Sequence, residues 1–280
     1  MPNLYLYSMQ TSRFLLQKME AVNANPISYT LVSAQGDAQV NLSSLVGKQI
    51  KLQFFGDTEC LNCGHSQRIF SQGFCYKCHQ SSPETSDCIF KPELCRGHLG
   101  IGRDAQFEFD NHVQTHFVYL AATSNVKVGV TRMTQRPVRW IDQGALSALA
   151  IFQTPYRALA GQIEVALKAV FSDKTHRDKM LKGEDNLSIQ LKIHGYSAYT
   201  ALPPNLKPYF IPEEHWEYFQ FQYPIVSYPV TPKNLKLDRP TVWSGTLLGI
   251  RGQYLLLEGD FVLNVRSYSG YWLELGYEAN

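Results

Sequence analysis

The chain has 280 residues, of which 44% are hydrophobic and 18% charged, with a formal net charge of +2. That length holds two or three small domains with a buried core, and so small a net charge excludes a molecule-wide basic surface, so any nucleic-acid footprint must be local. No apolar run reaches the roughly 18 residues of a spanning helix, so no membrane partner is expected.

The N-terminal stretch MPNLYLYSMQTSRF lacks a charged start, an apolar core of leader length and a small-residue cleavage site. It therefore reads as a mature, cytoplasmic start. ISYTLVSA, QVNLSSL and KQIKLQFF, between residues 27 and 55, are β-branched or aromatic runs separated by Gln35-Gly36-Asp37 and Gly47-Lys48. They predict three strands of one small antiparallel sheet, within an N-terminal β-rich region at 1–56.

Residues 57–100 read as a zinc-ribbon-like segment. Cys60 and Cys63, then Cys75 and Cys78, make two C-x2-C knuckles, and Gly64 follows the first of them. Two residues between cysteines let both thiolates reach one ion, and two knuckles close a tetrahedral site for a structural Zn²⁺. Such an ion stabilises a segment with too few apolar residues to fold alone. Paired cysteines in a cytosolic chain argue for metal over disulfides. His65 and His79 adjoin the knuckles and read as surface histidines. Cys88, Cys95 and His98 form a candidate second metal site, with His112 and His116 close behind; buried thiols and satisfied histidines are the alternative. Leu99 to Asn111 reads as a connector.

Phe117–Ala122 and Val126–Thr131 are apolar or alternating runs separated by Thr123-Ser124-Asn125, which predicts a β-hairpin. Gly129 inside the second strand marks a place where another group comes close. Lys127, Arg132, Arg136 and Arg139 face only Asp142 within residues 117–145, enough local charge to hold a phosphate backbone. A short helix follows Pro137 and ends at Gly144. Ser147–Gln153 is a third strand. Thr154-Pro155 predicts a capped helix over Tyr156–Ser172 with Leu159, Ile163, Leu167 and Val170 on one face. A short helix at His176–Lys182 stops at Gly183. From Leu187 the tail, 186–280, reads as β-rich, with strands near Trp243–Ile250, Gln253–Leu257, Phe261–Arg266 and Trp272–Tyr277 that form a small barrel or complete one sheet with the strands of 27–55.

Val118-Tyr119-Leu120 followed by Lys127-Val128-Gly129 resembles the paired strand motifs of the GIY-YIG nuclease superfamily, in the branch whose second motif reads Lys-Ile-Gly. An arginine-bearing helix, a third strand and a glutamate-bearing helix follow in the same order, so the resemblance covers a module at 117–185. It implies a tyrosine that activates water (Tyr119), an arginine on the scissile phosphate and a glutamate (Glu164) holding Mg²⁺ or Mn²⁺. Arg139 before Trp140 is the choice for the arginine, although Arg136 stands closer to the usual spacing. Lys127, Arg132 and Arg136 would bind substrate. Lys127 replaces the second-motif tyrosine; a protonated lysine binds phosphate but is a poor base. The whole chain also resembles an uncharacterised bacterial family, domain of unknown function 2797.

The expected fold is therefore α+β, with a zinc-ribbon segment, a GIY-YIG-like antiparallel sheet with helices, and β-rich flanks. The expected function is action on nucleic acid, DNA or RNA, as a divalent-metal-dependent phosphodiesterase. A non-catalytic zinc-containing nucleic-acid-binding protein is the alternative. A protein-interaction adaptor is the third reading, motivated by Trp216, Tyr218, Phe219, Phe221 and Tyr223.

Overall fold

A computed structural model describes residues 9–172 and 176–278. The first eight residues, on which the reading of a mature start partly rests, lie outside them. Among the described residues no helix is long and apolar enough to cross a membrane.

The protein is mixed α+β with several sheets, and its chain divides into two compact units, residues 1–79 with 223–280 and residues 80–222. In chain order the first unit opens with strands β1 (Met9–Leu15), β2 (Glu20–Val22), β3 (Ser28–Val32), β4 (Gln39–Asn41) and β5 (Gln49–Thr58). The short helix α1 (Tyr76–Ser81) spans the boundary. The second unit holds α2 (Ala105–His112), β6 (His116–Ala122), β7 (Val126–Arg132), α3 (Val138–Asp142), β8 (Ser147–Thr154), α4 (Arg157–Leu167), α5 (Arg177–Leu181), α6 (Leu191–Ala201) and β9 (Tyr218–Gln220). The chain then returns to the first unit with β10 (Lys233–Asn234), β11 (Thr241–Arg251), β12 (Tyr254–Leu257), β13 (Phe261–Asn264) and β14 (Tyr271–Glu278).

In the first unit, β2, β3 and β4 form a three-stranded sheet, while β5 leaves it for a seven-stranded sheet of order β1-β14-β5-β11-β12-β13-β10. The expectation of one sheet over residues 27–55 is corrected here, and the physical reason is length. β5 buries Ile50, Leu52 and Phe54 in strict alternation, and the long strands β11 and β14 pair with it from either side. β3 and β4 offer edges of only five and three residues. The tail strands thus complete one sheet with β5, as the expected joining to the 27–55 strands requires, and the strand order leaves edges at β1 and β10.

In the second unit, β6 is the central strand of a sheet ordered β7-β6-β8-β9, and all seven of its residues are buried. Alternate side chains leave opposite faces. Val118, Leu120 and Ala122 join a core with Ile163 and Leu167 of α4 and Leu191 and Ala198 of α6. Tyr119 meets the Trp140 ring edge-on at 5.7 Å between centroids. The hairpin and third strand agree with expectation in place and pairing.

Three expectations fail. Thr154 does not cap α4: its hydroxyl donates to the carbonyls of His116 and Tyr156, which keeps it at the end of β8, so the helix begins at Arg157. Leu99–Asn111 is not merely a connector, because Asp104 caps α2 by accepting from the Phe107 amide at 2.7 Å. The stretch after Leu187 is helical first: Leu191, Gly195 and Ala198 make the buried stripe of α6.

Ile163 is fully buried in the core of the second unit. Replacing it with aspartate would bury an unpaired carboxylate, so Ile163→Asp should lose about 3–5 kcal/mol in a urea titration or fail to fold. A loss below about 1 kcal/mol would contradict this packing.

Candidate phosphate pocket and metal centres

The hairpin register sets the pocket. Tyr119 pairs across with Gly129, and a Cβ built on that glycine would sit 2.5 Å from the Tyr119 hydroxyl. The missing side chain on β7 is therefore the space the phenol occupies. The close approach expected at Gly129 is made by this tyrosine. The hydroxyl donates to the Gln143 side-chain oxygen at 3.0 Å, and Tyr119 is only 1% exposed.

Around this phenol lies a cavity of about 160 Å³ lined by Tyr119, Lys127, Arg139, Gln143, Arg157, Glu164 and Lys168, with a wall from Ile89, Phe90 and Pro92. The structure thus brings Tyr119, Lys127, Arg139 and Glu164 together. Four cationic side chains face one carboxylate there. Glu164 is buried and lies 3.7 Å from Lys168, one helical turn on. Burial pushes the Tyr119 phenol above its ordinary value; Glu164 adds to the rise, while Arg139 and the Gln143 contact oppose it. The phenol is therefore protonated near neutral pH. Burial draws Arg157 below arginine's ordinary value, but a guanidinium stays charged in a protein. Arg157 and Gln143 were not singled out in the sequence. Arg157 stands one residue past the expected helix start, and only the fold turns it to the hairpin.

Arg132 and Arg136 do not line this cavity. Arg132 donates to the Asn111 side chain. Arg136 lies 4.3 Å over the Phe117 ring and near the rings of Trp140 and Phe219, and it pairs with Glu217 at 2.7 Å. The aromatic run that motivated an adaptor is likewise largely occupied. Phe219 packs on Trp140, Trp216 packs against the core, and Phe221 and Tyr223 are buried; Tyr218 is exposed.

The sulfurs of Cys60, Cys63, Cys75 and Cys78 all lie within 4.8 Å of one another, so this cluster can hold a metal ion such as zinc. Gly64 takes a φ of +67°, which lets the first knuckle turn back. The backbone amide of Cys75 donates to the Cys60 sulfur at 3.3 Å, and the side-chain amides of Asn62 and Gln67 donate to Cys78 and Cys63 at 3.4 Å. Donors aimed at sulfur favour the thiolate, the form that binds metal. The amide of His65 is the largest influence that draws Cys63 down to about 6. At Cys78 the Asn62 donor is outweighed by burial and the neighbouring sulfurs, which push that thiol up to about 12. His65 is exposed, and the His79 ring packs edge-on against Phe70.

The donor atoms of Cys88 and Cys95 converge with those of Glu108 and His112. His98 is not in that group: it is exposed, and its ring stacks on Tyr156 at 4.4 Å.

A cleft of about 1130 Å³ in the first unit is lined by Arg13, Arg68, Arg239, Phe54, Tyr271 and Trp272, among others. It mixes cations and rings but gathers none of the motif residues.

A family model described as a protein of unknown function (DUF2797) matches residues 47–273. No curated protein and no solved structure matches the chain.

The Arg136 geometry has a direct consequence. A guanidinium stacked among three rings acts on stability, with cation–π contacts of about 0.5–2 kcal/mol. Arg136→Ala should lower the unfolding free energy in a urea titration by that order, and so its midpoint, and Arg136→Lys should restore only part of it because a lysine cannot stack. An unchanged midpoint in Arg136→Ala would contradict this placement.

Proposed function

The chain belongs to the DUF2797 family, and from that premise we propose that the protein binds nucleic acid, with a backbone phosphate held between Lys127, Arg139, Arg157 and Lys168. The observation that carries this is the gathering of four cations around one carboxylate in a small pocket. Their mutual repulsion is relieved by an anion, and arginine's planar fork suits a phosphodiester at two points. A compact cluster of this kind needs no large net charge on the whole chain.

Cleavage is the second reading, and Glu164 is the observation that favours it. A single carboxylate beside phosphate-binding cations suits Mg²⁺ or Mn²⁺, which bind through one or two carboxylates and keep waters. The order of hairpin, Arg139 helix, third strand and Glu164 helix supports a GIY-YIG-like module. The protonated Tyr119 serves in this reading as a hydrogen-bond donor in the pocket and not as the base. The four-cysteine cluster we assign to structural zinc, since four thiolates suit Zn²⁺ and leave no open position for chemistry.

Two experiments test these assignments. In fluorescence anisotropy with single- and double-stranded oligonucleotides over a salt series, the logarithm of the affinity should fall linearly with the logarithm of salt concentration. Arg139→Ala should weaken binding about tenfold and reduce the salt slope by about one, while Arg136→Ala should leave the slope unchanged. Affinity indifferent to salt, or an Arg139→Ala variant identical to wild type, would refute the phosphate pocket. If the site cleaves, Glu164→Ala should abolish Mg²⁺-dependent cleavage and retain binding; a wild type inert in both Mg²⁺ and Mn²⁺ leaves binding as the function.

The zinc assignment is checked separately. Cys60→Ser should lose the ion from this cluster and become susceptible to proteolysis near residues 60–78, because the segment has little apolar core. Full protection from protease in that variant would contradict a structural role.

A further inference from the structure

We infer that Cys88, Cys95, Glu108 and His112 form a second zinc site, independent of the four-cysteine cluster, which fastens the segment around Cys88 and Cys95 to helix α2. One ligand atom from each of the four residues lies within 4.8 Å of the others. The Cys88 sulfur is 4.0 Å from His112 Nδ1, the Cys95 sulfur is 3.9 Å from Glu108 Oε2, and Glu108 Oε2 touches His112 Nδ1. All four residues are buried, between 2% and 7% exposed.

The local structure explains the convergence. Glu108 and His112 stand four residues apart on α2, so they share one face of the helix. Cys88 lies in the 3-10 turn Asp87–Ile89, and Cys95 follows the turn Pro92–Leu94. Two glycines leave room for the carboxylate: a Cβ on Gly97 would come within 3.1 Å of Glu108 Oε2, and a Cβ on Gly102 would overlap the Glu108 side chain.

The donor chemistry points to zinc. Two thiolates, one imidazole and one carboxylate make a four-coordinate N/O/S set that suits Zn²⁺ over hard cations, which prefer all-oxygen sites. An ion pair between Glu108 and His112 accounts for two of the groups. It gives no reason for two sulfurs to face the same point. Binding would release the thiol protons and neutralise most of the buried charge.

The position also matters. Arg157 donates to the carbonyls of Cys88 and Ile89, each at 3.0 Å. Ile89, Phe90 and Pro92 then form a wall of the cationic pocket. The second ion would thus hold that wall in place from behind, whatever the pocket binds.

Native mass spectrometry and zinc-edge X-ray absorption on the full chain, purified without added metal and titrated with zinc chloride, decide the matter. Wild type should carry about two zinc ions per chain, with an average of about three sulfurs per zinc at about 2.3 Å. His112→Ala and Glu108→Gln should each fall to about one ion with an all-sulfur shell. His98→Ala should keep both ions. A wild type that holds only one zinc in an all-sulfur shell, a Cys88–Cys95 disulfide found by mass, or full retention in His112→Ala would overturn the inference. If the variants do not fold, the wild-type ion count and sulfur average still decide it.

Discussion

Backbone lies directly on backbone where the turn Pro92–Leu94 crosses helix α4. A Cβ on Gly161 would collide with the Glu93 nitrogen and the Pro92 carbonyl carbon, so the approach exists only because residue 161 has no side chain. One turn earlier on the same helix, Arg157 closes the contact by donating to two carbonyls of the same segment. Hydrogen bonds from a charged donor contribute about 1.5–3 kcal/mol each. This close crossing accompanies the placement of Ile89, Phe90 and Pro92 as one wall of the pocket that Tyr119, Lys127 and Gly129 line from the hairpin. It also presents Cys88 and Cys95 toward α2. The pocket and the second cysteine cluster therefore depend on one packing event.

The electrostatics of the second unit follow the same economy. The chain as a whole is nearly neutral, yet Lys127 of β7, Arg139 of α3, Arg157 of α4 and Lys168, which caps the C-terminal end of α4, line one pocket with Glu164. Arg136, only three residues before Arg139, goes elsewhere. Helical spacing does not decide between them; the rings of Phe117, Trp140 and Phe219 do, by offering the earlier arginine a stacked site. Charge density along the sequence is thus a poor guide to charge density in space.

Much of the second unit was legible because its signals are local. The alternation in Val126–Arg132 and the apolar run in β6 mark the hairpin; that Tyr119, Arg139 and Glu164 are neighbours is implied only by the resemblance to the GIY-YIG motifs, and no local signal carries it. The two C-x2-C knuckles mark their own convergence, since a two-residue gap allows little else. What was not legible depends on distant packing. Glu108 and His112 lie in a stretch with little apolar periodicity; only the cap at Asp104 betrays the helix, and without a helix their spacing of four has no meaning. His98, closer in sequence to the cysteines, is drawn off by stacking on Tyr156. In the first unit β5 looked like the partner of its sequence neighbours, but strands beyond residue 240 offered longer edges.

Phosphate capture between β7, α3 and α4 is the centre of this account. A crystal structure with a short oligonucleotide and Mn²⁺ tests it most directly, because manganese is located by its anomalous scattering. The account predicts a backbone phosphate in contact with Arg139 and Lys127, within the pocket beside Tyr119. A manganese ion on Glu164 would add the cleavage reading. An ordered oligonucleotide bound on another surface, with no phosphate among these four cations, would contradict it.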